Sequence, residues 1–179
     1  MGISRHGRSG AAIVLKELDS SDVTEKYVDW MNDGSVVQYT DARLGQYLLK
    51  DIQEYVAKIY NSSSSFLFGI FEKKSMNHIG NIKIGPVDKE NQNASIGLII
   101  GDKNYWGAGI GTEAIGLVTA IAFEELRLYK VTAGVIAGND ASTRAFLRNG
   151  FVIEGTRRDH INFNGEWRDQ ILLGRINGV

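Results

Sequence analysis

The hydrophobic positions of the chain follow two spacings, and each change of spacing marks a predicted element. Apolar residues recur at i, i+3, i+4 and i+7 over residues 52–59 and again over 114–121, which is typical of amphipathic helices. Asp22, with Glu25 three residues later, predicts a capping box at the start of an earlier helix. The predicted order is strand 12–18, helix 22–30, helix 52–59, strands 66–71, 78–85 and 94–100, helix 109–126, strand 130–137, helix 139–148, and strands 151–163 and 166–173.

Turn residues indicate how these strands are connected. Short polar segments join the three strands in the middle of the chain, which is typical of an antiparallel meander. The last two strands flank Asn164-Gly165, a strong signal for the type I′ turn of a hairpin. We therefore predict an α/β (α+β) fold, in which a single domain has a mixed, mostly antiparallel sheet of about seven strands flanked by about four helices.

A glycine-rich segment lies between strand 94–100 and helix 109–126. It reads Asn104-Tyr105-Trp106-Gly107-Ala108-Gly109-Ile110-Gly111-Thr112-Glu113. Glycine lets the backbone approach an anion closely, and the free N–H groups of a first helical turn point at that anion together with the positive end of the helix dipole. The segment therefore predicts a loop that holds the pyrophosphate of a cofactor.

The glycine spacing alone leaves the cofactor open. Gly107, Gly109 and Gly111 give G-x-G-x-G, which misses the G-x-G-x-x-G of dinucleotide-binding folds, and no Gly-Lys-Ser/Thr of a nucleoside-triphosphate loop is present. A Rossmann-type nucleotide-binding enzyme is one alternative. A glycine turn that only caps the helix is another.

Composition and charge exclude several classes of function. The 179 residues carry a net charge of −1, which gives no indication of a nucleic-acid partner. The chain has no cysteine, which excludes disulfides, thiolate metal ligands and a cysteine nucleophile and fits a cytoplasmic location. The three histidines show no metal-binding spacing, and no apolar run reaches the roughly 18 residues of a membrane span. Residues 1–10 are polar and basic, so we expect a disordered leader before a single domain over 11–179.

Three stretches together resemble one family of enzymes. The loop over residues 105–114, the segment Asn139-Asp140-Ala141-Ser142 running to Asn149-Gly150-Phe151, and the hairpin at Asn164-Gly165 are similar to motifs of the GNAT N-acetyltransferase superfamily. The order of elements agrees with that family over residues 12–176. The branch that includes ribosomal-protein-alanine, polyamine and nucleotide-amino-sugar acetyltransferases is the most similar.

The resemblance implies acetyl-CoA as cosubstrate, no metal, and a set of cofactor-binding positions. The diphosphate would lie on the glycine loop, a backbone N–H at Ile99 or Ile100 would bind the thioester oxygen, and Asn139 would contact the pantetheine arm. Arg144, like Arg148, could reach a phosphate because guanidinium suits phosphate geometry. Helix capping by Asn139 and a solvated helix face for the arginines are the structural alternatives. The predicted cofactor-binding residues are Ile99, Ile100, Trp106, Gly107, Ala108, Gly109, Ile110, Gly111, Thr112, Asn139 and Arg144.

The chain departs from the family pattern at two positions. Trp106 stands where the loop usually opens with Gln or Arg, although the turn glycines remain. Phe146 stands where many members have a tyrosine, thought to be the general acid, and it has no proton to give. Ser142 is the substitute that the family resemblance supports, and we predict it as the catalytic residue. The alternative is that its side chain only bonds to the local helix backbone. A leaving thiol with a pKa near 8.5 departs tolerably without an acid, so the loss of the tyrosine does not exclude catalysis.

The acceptor amine needs a base, or a water chain to one. A lysine-like amine with a pKa near 10.4 is only about one part in 10³ neutral at pH 7. The sequence leaves the base open between Glu113 and His160. The alternatives are that Glu113 only stabilises the first helical turn and that His160 is a surface histidine. His78 is expected to be exposed. The family builds its acceptor pocket at positions that correspond here to Trp30, Asn32 and Tyr39. Together with His160, these three residues are the predicted substrate-binding set. A core position is the alternative for Trp30.

We therefore predict an acetyl-CoA-dependent N-acetyltransferase in which a primary amine attacks the thioester directly in a ternary complex. The acceptor could be an amino-sugar nucleotide, a protein N-terminus, a polyamine or an aminoglycoside. The competing functions are a CoA-binding sensor without turnover and, from the glycine loop, the Rossmann-type enzyme. The resemblance also implies a homodimer as a possible assembly, with no nucleic-acid or membrane partner.

Overall fold

The computed structural model describes residues 7–178, and the strands of this region form one eight-stranded sheet. The strands are β1 (Arg8–Ser9), β2 (Ile13–Glu17), β3 (Phe66–Glu72), β4 (His78–Ile84), β5 (Asn93–Ile100), β6 (Lys130–Ile136), β7 (Val152–Phe163) and β8 (Glu166–Ile176). The helices are α1 (Glu25–Asn32), α2 (Gly34–Val37), α3 (Leu49–Tyr60), α4 (Ile110–Glu124) and α5 (Asp140–Arg148). Short 3-10 turns lie at Ser20–Asp22, Asp41–Leu44 and Lys103–Tyr105.

The strand order is β1-β2-β3-β4-β5-β6-β8-β7, and β5 with β6 is the one parallel pair within residues 7–178. The predicted meander of β3, β4 and β5 is confirmed. The late hairpin is also confirmed, because Asn164 and Gly165 both have positive φ angles, 55° and 92°, as a type I′ turn requires. The alternative of a Rossmann-type fold is therefore wrong, since that fold needs several parallel strands.

The parallel pair opens toward its carboxyl end. β5 and β6 pair only from Asn93 opposite Lys130 to Ser95 opposite Thr132, although both strands continue for several residues. Beyond Ser95, the edge of β5 that faces β6 has no strand partner among the described residues. Because backbone polar groups need partners, this gap is a place where a ligand can hydrogen-bond to the main chain.

Helices cover both faces of the sheet with separate cores. On one face, α4 and α5 pack on the strands, and the larger cluster includes Ile115, Val118 and Phe146. On the other face, α1 and α3 form a smaller cluster that includes Trp30, Ile52 and Val56. Since β5 and β6 are each followed by a helix that packs on the same face, the starts of α4 and α5 lie at the same end of the sheet, beside the gap.

The structure corrects several local predictions. Thr24 caps α1, accepting from the N–H of Tyr27, whereas Asp22 closes a capping box with Asp19 in the preceding 3-10 turn. Tyr55, predicted within the apolar stripe of α3, is exposed. The eighth strand and the fifth helix are short elements, β1 and α2, that the apolar spacing does not reveal.

The start of the chain also differs from the prediction of a disordered leader over residues 1–10. Arg8 and Ser9 pair with Leu15 and Val14 of β2, and Arg8 forms a 2.7 Å ion pair with Glu124 of α4. Residues 1–6 lie outside the described residues. Within residues 7–178, no helix has the length and apolar character needed to cross a bilayer.

Candidate active site

The glycine loop and the first turn of α4 form an open cradle of backbone groups. Gly107 and Gly109 have φ angles of 76° and 82°, and a Cβ built on either would meet no atom within 4 Å. Side chains other than glycine would be strained there, and they would also fill the space above the helix start. No backbone partner among residues 7–178 is found for the N–H groups of Ile110, Gly111 and Thr112. Free N–H groups beside positive-φ glycines suit a phosphate group.

Hydrogen bonds fix this loop to the end of β5. The Trp106 indole N–H donates to the Ile100 carbonyl at 2.8 Å, although the ring itself is half-exposed. Asp102 accepts from the N–H of Asn104 and pairs with Lys26 of α1 at 2.8 Å. The hydrogen bond from Lys26 lowers the pKa of Asp102. The Trp106 indole and the Asp102 carboxylate therefore hold the loop against the end of β5 and against α1.

Alternation along β5 decides which N–H groups face the gap. Ser95 and Gly101 both form 2.9 Å backbone hydrogen bonds to the β4 side. Because successive residues of a strand direct their polar groups to opposite sides, Ile99 also faces β4, whereas Leu98 and Ile100 face the gap. Of the two alternatives predicted for the oxyanion donor, Ile100 therefore faces the gap and Ile99 does not. Leu98 faces the gap as well, and sequence reasoning did not include it.

The first turn of α5 presents a free hydroxyl at the other side of the gap. Asn139 caps this helix by accepting from the N–H of Ser142 at 3.3 Å, as the capping alternative predicts. The Ser142 hydroxyl is half-buried and makes no hydrogen bond to any described residue. Phe146, one turn later, is 2% exposed and packs edge-on to Phe151 with ring centroids 5.0 Å apart. Phe146 is therefore a core residue, and Ser142 is the proton donor available on this turn.

Asn149 connects the carboxyl-terminal half of α5 to the start of α4. Its side-chain amide donates to the Thr112 carbonyl in the first turn of α4 at 2.9 Å and to the Ala145 carbonyl at 2.8 Å. The Asn-Gly-Phe motif thus holds the Ser142 helix against the glycine cradle. Arg144 is exposed on α5, as is Arg148, and no ion pair of either is found within residues 7–178.

Glu113 has a structural role. Its carboxylate accepts from the N–H groups of Ala12 at 2.9 Å and Ile13 at 3.4 Å, at the start of β2. A Cβ on Gly10 would overlap this carboxylate, so a side chain at that position would displace Glu113 from these bonds. The contacts favour the helix-start alternative over the role of general base.

The predicted acceptor residues lie around the same end of the sheet, but in different roles. Trp30 is buried, and its ring fills the space that a side chain on Gly101 would need, which favours the core alternative. Asn32 exchanges hydrogen bonds of 2.8 and 2.9 Å with the backbone of Tyr47. The Tyr39 hydroxyl donates to the Gly138 carbonyl at 3.2 Å, just beyond β6. Of these side chains, Tyr39 has the direct connection to the loop that precedes Ser142.

The two histidines within residues 7–178, His78 and His160, differ in their exposure. His160 is exposed at a bulge of β7, where its Nε2 lies 3.5 Å from an Arg157 guanidinium nitrogen. No described contact joins it to Trp30, Asn32 or Tyr39. His78 is half-buried against Phe71 and Trp30, which corrects the expectation that it is exposed, and burial lowers its pKa. No group of three or more His, Asp or Glu side chains in the described part of the chain is arranged to hold a metal.

A small cavity of about 160 Å³ lies beside Tyr39, between α2, the following 3-10 turn and the β7–β8 hairpin. Its polar lining comes from Asn32, Gln38, Arg43, Gln46 and Asn164. Of these residues, the sequence pointed to Asn32 as an acceptor residue and to Asn164 only as a turn residue. The others could not be found from local motifs, because segments distant in sequence come together only in the fold.

A mixed sheet whose one parallel pair opens beside a glycine-rich helix start defines the class of protein as an acetyltransferase fold. The family model described as Acetyltransferase (GNAT) domain matches residues 12–152. The chain belongs to the GNAT acetyltransferase family, and the resemblance seen in the motifs is confirmed.

Known relatives agree with this assignment. The probable N-acetyltransferase YjcK of Bacillus subtilis (strain 168) is 31% identical over 175 residues, covering 94% of this chain and 96% of that protein. The ribosomal protein uS5-alanine N-acetyltransferase of Escherichia coli (strain K12) is 26% identical over 65% of this chain and 60% of that protein. The crystal structure of spermidine N-acetyltransferase from Vibrio cholerae, in complex with CoA and spermine, has a TM-score of 0.83 at 18% identity and covers 93% of this chain and 96% of that one. The last similarity shows the fold.

Proposed function

We propose that the protein transfers the acetyl group of acetyl-CoA to a primary amine, by direct attack of the amine within a ternary complex. The observation that carries this proposal is the gap between β5 and β6, which ends beside the free N–H groups at the start of α4. A diphosphate on those N–H groups would leave the gap for the rest of the cofactor. With no cysteine in the chain, direct attack is favoured over an acyl-enzyme on a thiol.

The chain supplies donors where charge develops. Acetyl-CoA would supply an acetyl group activated as a thioester. The N–H groups of Leu98 and Ile100 face the gap and would stabilise negative charge on the carbonyl oxygen, where one donor contributes roughly 3–4 kcal/mol. The Ser142 hydroxyl would pass a proton to the departing sulfur and regain one from water, which is the role that Phe146 cannot perform.

The acceptor must reach the gap as a neutral amine. Of the two candidate bases, Glu113 is not free for this task because its carboxylate binds the β2 backbone. His160 lies at the exposed bulge of β7 beside Arg157, with no described contact to Trp30, Asn32 or Tyr39. We infer that water carries the proton away through the polar surface near Tyr39. A protein N-terminus or an amino-sugar nucleotide is the acceptor class we favour; relatives with this fold are named for a ribosomal-protein alanine and for spermidine.

The test is release of free thiol from acetyl-CoA across a panel of amines that includes peptides, amino sugars, polyamines and aminoglycosides. The proposal expects amine-dependent thiol release in at least one class, with acetylated product identified by mass. Tight binding of acetyl-CoA with no thiol release for any amine would instead support the sensor, which the loss of the tyrosine at Phe146 favours. No binding of acetyl-CoA would refute both.

A further inference from the structure

We propose that the acceptor amine also carries an anionic group, a carboxylate or a phosphate, and that Arg43 binds this group in the cavity beside Tyr39. The inference rests on the proposed acetyl transfer and adds the chemical class of the acceptor. It comes from the burial and bonding of one guanidinium group and from the charges around it.

Arg43 is held in place by the fold. Only 10% of its side chain is exposed. Its Nη1 donates to the Thr40 carbonyl at 2.7 Å, and its Nη2 donates to the Asn162 carbonyl at 3.0 Å. A guanidinium has five N–H donors in one plane, so three remain after these two bonds. The group is thus pre-oriented, and an anion could bind to it without the loss of side-chain freedom that an exposed arginine would suffer.

The charge of Arg43 is poorly neutralised by the chain. Its acidic neighbour, Asp41, lies 3.6 Å away with a side chain that is 99% exposed, and pairs of this kind contribute little. Among the described residues that line the cavity, none carries a carboxylate. Because a buried charge is unfavourable unless it is paired, the site favours an anion from outside the chain.

Elements that line the cavity also contact the segments around the site of transfer. Asn32, which lines it, lies at the end of α1, whose Trp30 ring packs on Gly101 just beyond β5. Asp33 caps α2 and forms an ion pair with Lys103, which precedes the glycine loop. This hydrogen bond from Lys103 lowers the pKa of Asp33 to about 2, so Asp33 is ionised and its charge is directed at Lys103.

The other wall of the cavity leads to the Ser142 helix. Asn164, which lines the cavity, follows Phe163 at the tip of the hairpin, and the Phe163 ring lies 5.6 Å from that of Tyr39. Tyr39 in turn donates to Gly138, directly before the Asn139 cap of α5. The proposal therefore places the anionic end of the acceptor on Arg43 and directs its amine along this wall toward the gap.

The cavity predicts a preference among acceptors. A hydrogen-bonded charge pair contributes enough to expect a KM at least about tenfold lower for an anionic acceptor than for its neutral counterpart. A polycation such as spermidine has no matching carboxylate in this cavity, so we expect it to be a poor acceptor.

The experiment compares matched acceptors by thiol release. One arm uses short alanine peptides with a free or an amidated carboxyl end, and the other uses an amino sugar with or without a phosphate group. We expect the charged member to have the lower KM in at least one arm, which also identifies the anion. We expect Arg43→Gln to abolish that preference and Arg43→Lys to keep part of it. Arg127→Gln, which removes an exposed arginine between α4 and β6, is the matched control and should keep the full preference.

The outcomes separate this inference from the proposed function. Thiol release with equal KM values for charged and neutral members in both arms would overturn the anion site and leave acetyl transfer standing. A preference that survives in Arg43→Gln would overturn the role of Arg43. Circular dichroism and thermal unfolding check the fold of each variant. Where Arg43→Gln unfolds, the wild-type comparison still tests the preference for an anionic acceptor, and Arg43→Lys tests the role of Arg43. An absence of thiol release with every amine would refute acetyl transfer itself.

Discussion

Gly109 offers the sharpest test of where the cofactor diphosphate lies. Its φ of 82° and ψ of −1° place it in the left-handed region directly before α4, and a Cβ there would meet open space. Substitution by Glu or by its neutral counterpart Gln would therefore cause the same backbone strain, about 1–2 kcal/mol for a side chain other than glycine. For a chain of this size, that strain corresponds to a fall in Tm of about 2–8 °C in both variants.

The difference between the two variants isolates charge. A carboxylate about 5 Å from a diphosphate that carries two charges is repelled by roughly 2 kcal/mol when water screens most of the field. Gly109→Glu should therefore bind acetyl-CoA about 30-fold more weakly than Gly109→Gln, because each 1.4 kcal/mol is a factor of ten. The difference should shrink as ionic strength rises, since salt screens charges at exposed positions.

Isothermal titration calorimetry of acetyl-CoA with both variants, at low and at high salt, measures this difference. S-acetylpantetheine, which lacks the diphosphate, is the control ligand and should bind the two variants equally. Equal affinities of Gly109→Glu and Gly109→Gln for acetyl-CoA at low salt would refute the placement of the diphosphate on the first turn of α4.

Three other substitutions test the parts around the loop. Ser142→Ala should lower kcat by more than it changes the Kd of acetyl-CoA, because its hydroxyl is the free donor of the α5 start; an unchanged kcat would leave Ser142 with a structural role. Asn149→Ala loses bonds to Thr112 and Ala145, roughly 1 kcal/mol each, so Tm should fall by about 4–8 °C in calorimetry, and a Tm equal to wild type would contradict the described bonds. Burial lowers the pKa of His78 below the 6.5 of an unfolded chain, so the unfolded state binds more protons below pH 6.5. The unfolding free energy from urea titrations should therefore decline as pH falls through 6.5 and below, and His78→Gln should decline less; parallel pH profiles would show that His78 is not the cause.

Local chemistry determined a large part of what the sequence predicts correctly. Asn164-Gly165 specifies its turn because both residues accept positive φ, and the cap of α5 by Asn139 needs only a side chain three residues from its donor. The glycine loop is likewise recognisable locally, since Gly107 and Gly109 adopt the positive φ angles that open the helix start. Apolar periodicity located α3, α4 and the middle strands for the same reason: side-chain spacing reports the local backbone period.

The predictions that failed depend on contacts between distant segments. Tyr55 fits the apolar stripe of α3, but its exposure depends on what packs against that helix. His78 begins a strand after a polar turn, yet it is covered by rings from α1 and β3. Glu113 has the sequence position of a helix-start carboxylate, and only the fold brings it to the backbone of Ala12, with 101 positions between them.

The sequence by itself therefore determined most of the elements, the glycine loop and the family, because turns, caps and periodicity act between residues a few positions apart. Tertiary structure alone decided which β5 N–H groups face the gap, since that depends on register with β4, and it alone assembled the cavity around Arg43. Its two carbonyl partners, Thr40 and Asn162, are 3 and 119 positions away in the chain. No local pattern encodes the contact with Asn162, and the guanidinium is held in place only when both contacts are made.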